Sequence, residues 1–305
     1  MNNTFCFISN TGDSRYDKLL ECAVNSFKKW HPEIPVYVNT EPYDPNLPIG
    51  INRYGRVIEI ALKYQFNKVI ILGADTITCS RLDEFFIYNE DILCTLDHPV
   101  PLFYPSLDFS NSYSFFVDLH KHVNADVVCF NNLQSLQYVI DIGIRYKQEI
   151  ERISTTNNLQ STSFVHDRIH YAEQGALNML IHGHPMMQIE KLGVTHRIVD
   201  GPYEKSSVIY NARAKGNVGL TPGDEERHCY RPYTNKMYTK DNKLFSFDHK
   251  QIKVWHYCDG FGAINSVKDF DTRIKTWVTE LFNKNAKQFF IDHCECKSFF
   301  EYFDV

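Results

Sequence analysis

Apolar and polar positions follow two distinct rhythms along the first quarter of the chain. "TFCFIS" (Thr4–Ser9) is a short run of β-forming residues, and the loop "NTGDS" follows it. From about Tyr16 to Trp30 apolar residues return at helical spacing. Asp13 or Ser14 suits the N-cap there, and "HPEIP" stops the helix. "VYVN" (Val36–Asn39) predicts a second strand. "NRYGRVIEIALKY" then sets Val57, Ile60, Ala61 and Tyr64 on one helical face, with Arg53, Arg56 and Glu59 on the other. Val69–Leu72 reads as a third, wholly apolar strand, and Asp75 sits just past its carboxyl end. Strand, helix, strand, helix, strand in immediate succession predicts an α/β fold, a mixed and mainly parallel sheet flanked by helices.

The pattern loosens after that. "DILCTLD" (Asp91–Asp97) and "ADVVCFN" (Ala125–Asn131) are strand-like, with an aromatic, proline-containing loop between them. A helix is expected from about Leu133 to Glu151, then an exposed polar loop, "STTNNLQSTS". "YAEQGALNMLIHG" (Tyr171–Gly183) has helical periodicity and a terminal glycine. Short strands and loops fill Met186 to His256, and the tail from Asn265 is helical, with the aromatic run "QFFIDHCECKSFFEYF". No linker composition interrupts the chain. One domain over 1–262 with a helical C-terminal extension over 263–305 is expected, the extension docking on its own domain or forming a dimer contact.

Composition narrows the function classes. The 305 residues are 43% hydrophobic and 23% charged, enough for a sizeable core. A net charge of −5 gives no basic surface for nucleic acid. Apolar runs are too short and too interrupted to span a membrane, and the N-terminus lacks the pattern of a secretory signal. The nine cysteines are scattered, and Cys6, Cys94 and Cys129 sit in apolar segments, where a reduced thiol behaves as a small hydrophobe. The close pair Cys294 and Cys296 lacks the second pair that a zinc site needs. A soluble, cytoplasmic protein is expected.

The candidate chemistry starts at Asp75. In open α/β sheets ligands bind beyond the carboxyl ends of the strands. Magnesium and manganese are held there by carboxylates together with water and substrate phosphate. A carboxylate at that place suits a cation held against a diphosphate, and turn or helix capping is the alternative reading. For His256, closing "KVWHY", the alternatives are a metal ligand and a satisfied core histidine.

The order of motifs resembles glycosyltransferases of the GT-A fold, and more closely glycosyltransferase family 8, the glycogenin and galactosyltransferase group. The resemblance runs through "FCFISN", "YGRVIEIALKYQFNKVIILGADT", "VNADVVCFNN", "EQGALNML" and "VWHYCDGFG". It implies a GT-A fold and transfer of a sugar, with retention of configuration, from a nucleotide-diphosphate donor to a hydroxyl acceptor such as a glycan, lipid-linked sugar or protein. Mn2+ or Mg2+ is implied as cofactor, held by Asp75 and His256. Ser9, Asn10 and Tyr16 match the loop that holds base and ribose. Arg56 matches a basic residue near the phosphates, and Ala74 and Asp75 belong to the donor-binding turn. Asn124 and Asp126 match positions that read the donor sugar. Glu173 and Gln174 match the family's acid–glutamine pair, Gln174 lying near the anomeric carbon. If the configuration is inverted instead, Glu173 or Asp126 is the candidate base.

Three positions depart from the family pattern. Gly73 stands where the first acid of Asp-x-Asp is usual, and Asp126 stands where a glycine is usual. No lysine follows the histidine motif until Lys268. A site completed by Asp83 or Asp259 would accommodate these changes, as would a sugar-binding or scaffold protein without catalysis. A sugar nucleotidyltransferase is a third reading, weakened by the single glycine of "NTGDSRY".

Overall fold

The computed structural model describes residues 3–10, 12–41, 44, 46–96, 123–156, 172–183, 192–200, 206–210, 212–213, 237–246, 249–256, 271–272, 275 and 284–304. The expected loop from His98 to Tyr113, the domain boundary near residue 262, Asp259 and Lys268 lie outside them, as does the expected polar loop Ser154–Ser163 from residue 157 on, whereas Ser154–Thr156 continue the preceding helix.

Its centre is a six-stranded sheet. The strands are β1 (Thr4–Ser9), β2 (Val36–Asn39), β3 (Lys68–Gly73), β5 (Ile92–Leu96), β6 (Val123–Phe130) and β7 (His196–Ile198), in the order β2-β1-β3-β6-β5-β7. Pairings β1–β2, β1–β3 and β5–β7 are parallel, whereas β6 runs antiparallel to both β3 and β5. Every residue of β1 and β3 is buried, which is why both read as unbroken apolar runs and not as alternating strands. Each large apolar side chain covered in this way contributes about 1.5–3 kcal/mol.

Helix α1 (Asp17–Trp30) buries Leu19, Leu20, Ala23 and Phe27, and it stops at His31, which leaves the helical region at φ −133°, ψ 60° ahead of Pro32. Asp13 caps a preceding 3-10 turn, Ser14–Tyr16, by accepting from Arg15 N at 3.0 Å. Helix α2 (Ile49–Tyr64) starts after Pro48 and ends on Gln65 in the left-handed region at φ 58°. The expected apolar face of α2 needs correction. Arg53, Tyr54, Val57 and Ala61 are buried, whereas Tyr64 is exposed. The stripe therefore begins at Gly50 and runs through the arginine.

Two small sheets flank the large one, β4 (Thr76–Thr78) with β13 (Val254–His256) and β9 (Ala212–Arg213), and β10 (Tyr238–Lys240) with β11 (Lys243–Phe245), β12 (Gln251–Ile252) and β8 (Val208–Ile209). The remaining described helices are α3 (Glu84–Ile87), α4 (Leu133–Thr156), α5 (Ala172–His182), α6 (Lys284–His293) and α7 (Lys297–Tyr302). None of the described helices is long and apolar enough to cross a membrane.

The tail docks on the rest of the chain. Phe289, Phe290, Phe299, Phe300 and Phe303 are buried in one cluster with Ile77 and Trp255, which explains the aromatic run as core. The expectation of reduced cysteines fails at one place, because Cys22 of α1 is disulfide-bonded to Cys296. Their separation of 274 residues hides the pairing from any reading of local spacing. Cys6, Cys94 and Cys129 are free and buried, and burial pushes the Cys129 thiol up to about 12.

Candidate active site

The chain leaves β3 at Gly73 and turns at once into β4, with Thr76 Oγ1 donating to Gly73 O at 2.8 Å. Asp75 lies in that turn. Strand β13 pairs antiparallel with β4, so His256 comes opposite Thr76. His256 Nε2 lies 3.3 Å from Asp75 Oδ1, the imidazole fully buried and the carboxylate 17% exposed. Ala74 is buried between strand and turn.

Gly73 sits close to two carboxylate side chains. A Cβ there would stand 2.7 Å from Asp75 Oδ1 and 3.3 Å from Asp126 Cβ. The side chains of Asp75 and Asp126 thus flank one point, from the β3–β4 turn and from β6. Ser9, the last residue of β1, is the register neighbour of Gly73. It donates to Asn39 O at 2.9 Å, and Asn10 beside it holds the following loop by donating to Asp17 Oδ1 at 2.7 Å and accepting from Gly12 N at 3.0 Å. Tyr16 closes the 3-10 turn and packs half-buried between two apolar clusters. Ser9 and Asn10 therefore meet the Gly73–Asp75 turn at the carboxyl ends of two parallel strands, where an α/β sheet binds ligands.

A second group comes from β6, α2 and α5. The register of β5 on β6 shifts between Cys94 and Leu96, leaving backbone groups near Val123–Ala125 to find other partners. Asn178 bonds both Val123 N and Val123 O at 2.9 Å, and Gln174 Oε1 accepts from Ala125 N at 3.4 Å. Asn124 turns its carbonyl back on its own strand, accepting from Asp126 N at 2.7 Å and Val127 N at 2.8 Å. That local turn presents Asp126, which forms an ion pair with Arg53 Nη1. Arg53 Nη2 and the Tyr54 hydroxyl both donate to Ala125 O, at 3.2 and 3.0 Å. Burial opposes the charge on Arg53, but Asp126, Tyr54 and Glu173 outweigh it and hold the guanidinium more firmly protonated than usual.

Glu173 is buried against this pair. Burial, with a smaller contribution from Asp126, lifts its pKa to about 7 despite the attraction of Arg53. Its carboxyl fills the space over Gly50, where a Cβ would lie 2.0 Å from Glu173 Cδ. Among the described residues neither Glu173 Oε2 nor Arg53 Nε has a hydrogen-bond partner. Buried polar atoms are nearly always satisfied, so this cluster has capacity for a polar ligand or water.

Arg56 and Asp83 have ion-pair partners of their own. Arg56 lies on the outer side of α2, 2.9 Å from Glu59 and 3.9 Å from Glu41. Asp83 does not complete the Asp75–His256 pair; it lies 3.5 Å from Arg81 and 3.6 Å from Lys253. Arg53, Tyr54 and Gly50 were missed by the motif reading. Their signal was present, since 50, 53/54, 57 and 61 follow helical spacing on one face.

Asp75 and His256 offer one carboxylate oxygen and one imidazole nitrogen, a donor set that suits Mn2+ or Mg2+ when phosphate and water fill the other positions. Among the described residues no group of three or more His, Cys, Asp or Glu side chains is arranged to hold a metal. A cation here would therefore take its remaining ligands from water and substrate phosphate.

No protein-family model matches the chain, and no curated protein matches it. Among solved structures it is similar to a glycosyltransferase involved in glycosylation of the major capsid of PBCV-1, with 11% identity and a TM-score of 0.42, over 90% of this chain and 98% of the other. It is also similar to the galactosyltransferase LgtC in complex with donor and acceptor sugar analogues, with 13% identity and a TM-score of 0.42, over 94% of this chain and 99% of that one. A glycosyltransferase of Streptococcus pneumoniae TIGR4, GlyE, matches 61% of this chain and 44% of its own at 15% identity and a TM-score of 0.31.

Proposed function

We propose that this protein is a glycosyltransferase that moves a sugar from a nucleotide-diphosphate donor to a hydroxyl acceptor, assisted by a divalent cation at Asp75 and His256. The observation that carries the reading is the 3.3 Å approach of His256 Nε2 to Asp75 Oδ1 at the carboxyl end of β3. A buried imidazole aimed at a carboxylate beyond a parallel strand suits cation binding better than turn capping, because capping needs no histidine.

The cation, when bound, supplies positive charge to the leaving diphosphate as the glycosidic bond breaks. Asp75 and His256 fix where that charge sits. Ser9 and Asn10, beside the Gly73–Asp75 turn, are the residues we assign to the nucleoside end, with Ala74 buried in that turn. Asp126 and Arg53 form a preorganised dipole facing the same turn, suited to orient sugar hydroxyls without rearrangement. Gln174, fixed by the β6 backbone, is the group we place beside the anomeric carbon, whose positive character its amide oxygen would stabilise. Retention of configuration is the preferred course. The buried Glu173, with an acid constant near neutrality and a free oxygen, favours the inverting course as the second reading, in which it takes the acceptor proton.

The test is a calorimetric scan of nucleotide-sugar donors, with and without Mn2+, on the native chain and on Asp75→Ala. One donor should bind only with Mn2+ and fail in the variant. Equal binding without metal, unchanged in Asp75→Ala, would remove the cation from the mechanism. Binding of no donor at all would favour a scaffold role.

A further inference from the structure

The C-terminal helices pack directly behind the Asp75–His256 pair. Trp255, next to His256, is fully buried, with its ring centroid 6.2 Å from that of Phe290 on α6. Ile77, two residues beyond Asp75, shares one apolar cluster with Phe290, Phe299 and Phe303. Helix α1 completes the grip. Its Cys22 is bonded to Cys296, at the start of α7, and its Ser26, one turn on, accepts from Thr78 N of β4 at 3.1 Å. The tail thus holds β13 through Phe290 and β4 through the disulfide and α1.

The polar contacts between α1 and the end of the chain are weak, and Leu19 of α1 shares the apolar cluster of Phe299, Phe300 and Phe303. Lys29 to Glu295 at 2.7 Å and Ser298 to Glu21 at 3.1 Å are exposed polar contacts, each contributing little in water. The covalent bond is the strong element of this junction. Burial raises the thiol of Cys79, in the same cluster, well above the usual range, which keeps it protonated and a poor nucleophile.

We propose that the C-terminal helical pair is a positioning element for the Asp75–His256 site, and that the buried Cys22–Cys296 bond is its covalent latch. The inference rests on the reading of Asp75 and His256 as a cation site. A dithiol reductant gives two electrons and two protons to the S–S bond, leaving two cysteine thiols and the reductant as its own disulfide. A disulfide oxidant reverses the step by accepting the same electrons and protons. With the bond open, α7 holds α1 only by packing, and the strands carrying Asp75 and His256 lose their common backing.

The experiment is amide hydrogen exchange on the metal-free full chain, oxidised and then reduced with dithiothreitol, repeated on Cys296→Ser and Cys22→Ser. Exchange at Thr76–Thr78 and Val254–His256 should rise about tenfold on reduction and in both variants, while Thr4–Ser9 stays unchanged. Mn2+ alone, titrated into Cys296→Ser, should bind about tenfold more weakly than to the oxidised native chain, as for other losses of support behind a ligand. Faster exchange confined to Lys297–Phe303, with both strands unchanged, would overturn the proposal. So would non-reducing peptide mapping that found Cys22 and Cys296 unlinked after oxidation. If the strands loosen but Mn2+ binds neither form, the latch stands and the cation reading fails.

Discussion

Gly73 and Asp126 crowd each other, since a Cβ on Gly73 would stand 3.3 Å from Asp126 Cβ. The carboxylate that β3 lacks at its last residue is present one strand away, on β6, paired with Arg53. The two positions should therefore be energetically coupled. Gly73→Asp alone crowds a third carboxylate against Asp75 and Asp126, and Asp126→Gly alone strands the buried Arg53. The double variant relieves both, so urea denaturation should give a coupling of about 0.5–3 kcal/mol in its favour. Simple additivity would mean that the two sites do not share this space.

Removal of either member of the Asp75–His256 pair should abolish metal dependence while leaving the fold intact. Asp75 is in a turn and partly exposed, so Asp75→Asn should shift stability by less than about 1 kcal/mol. Mn2+ binding, followed by electron paramagnetic resonance, should nevertheless fall below detection. Retained Mn2+ binding in both Asp75→Asn and His256→Gln would place the cation elsewhere.

Glu173 gives a pH dependence with a definite sign. Its pKa rises from 4.5 in the free side chain to about 7 in the fold. Below the lower value both states are protonated and no penalty exists. Between the two values the unfolded chain loses a proton that the folded chain keeps, so stability falls as pH rises through this window and levels off above it. The loss is about 3 kcal/mol by linkage. Glu173→Gln should remove it, gaining stability on the native chain between pH 5 and pH 8. Parallel stability–pH profiles for the two proteins would contradict the burial of an ionisable carboxyl here.

Two glycines of α2 should respond in opposite directions to alanine. At Gly55 an added Cβ meets nothing within 4 Å, so Gly55→Ala should stabilise the helix by about 0.5–1 kcal/mol. At Gly50 it would collide with the buried carboxyl of Glu173, and Gly50→Ala should destabilise by about 1–3 kcal/mol. Gly50→Ala should also weaken donor binding, because it displaces Glu173 from Arg53. Thermal melts of both variants check the first two expectations, and donor calorimetry checks the third. A neutral Gly50→Ala would mean that Glu173 moves aside without loss.

Much of this molecule was decided by local pattern. The apolar runs Phe5–Ile8 and Val69–Leu72 and the 3.6-residue stripe of α1 each encode burial within one element, so the succession of strands and helices follows from them without tertiary information. The position of Asp75 at a strand end was equally legible. What the chain alone left open were pairings between distant positions. Arg53 belongs by charge on a polar face, and only a carboxylate delivered by β6 makes its burial tolerable. His256 is a plain core histidine until β13 lies antiparallel to β4. Cys22 and Cys296 lie 274 residues apart, and only the docking of the tail on α1 joins them. Periodicity records how deeply a residue is buried. Which group it meets there is set by the packing of elements, and the chemistry of this site depends on those meetings.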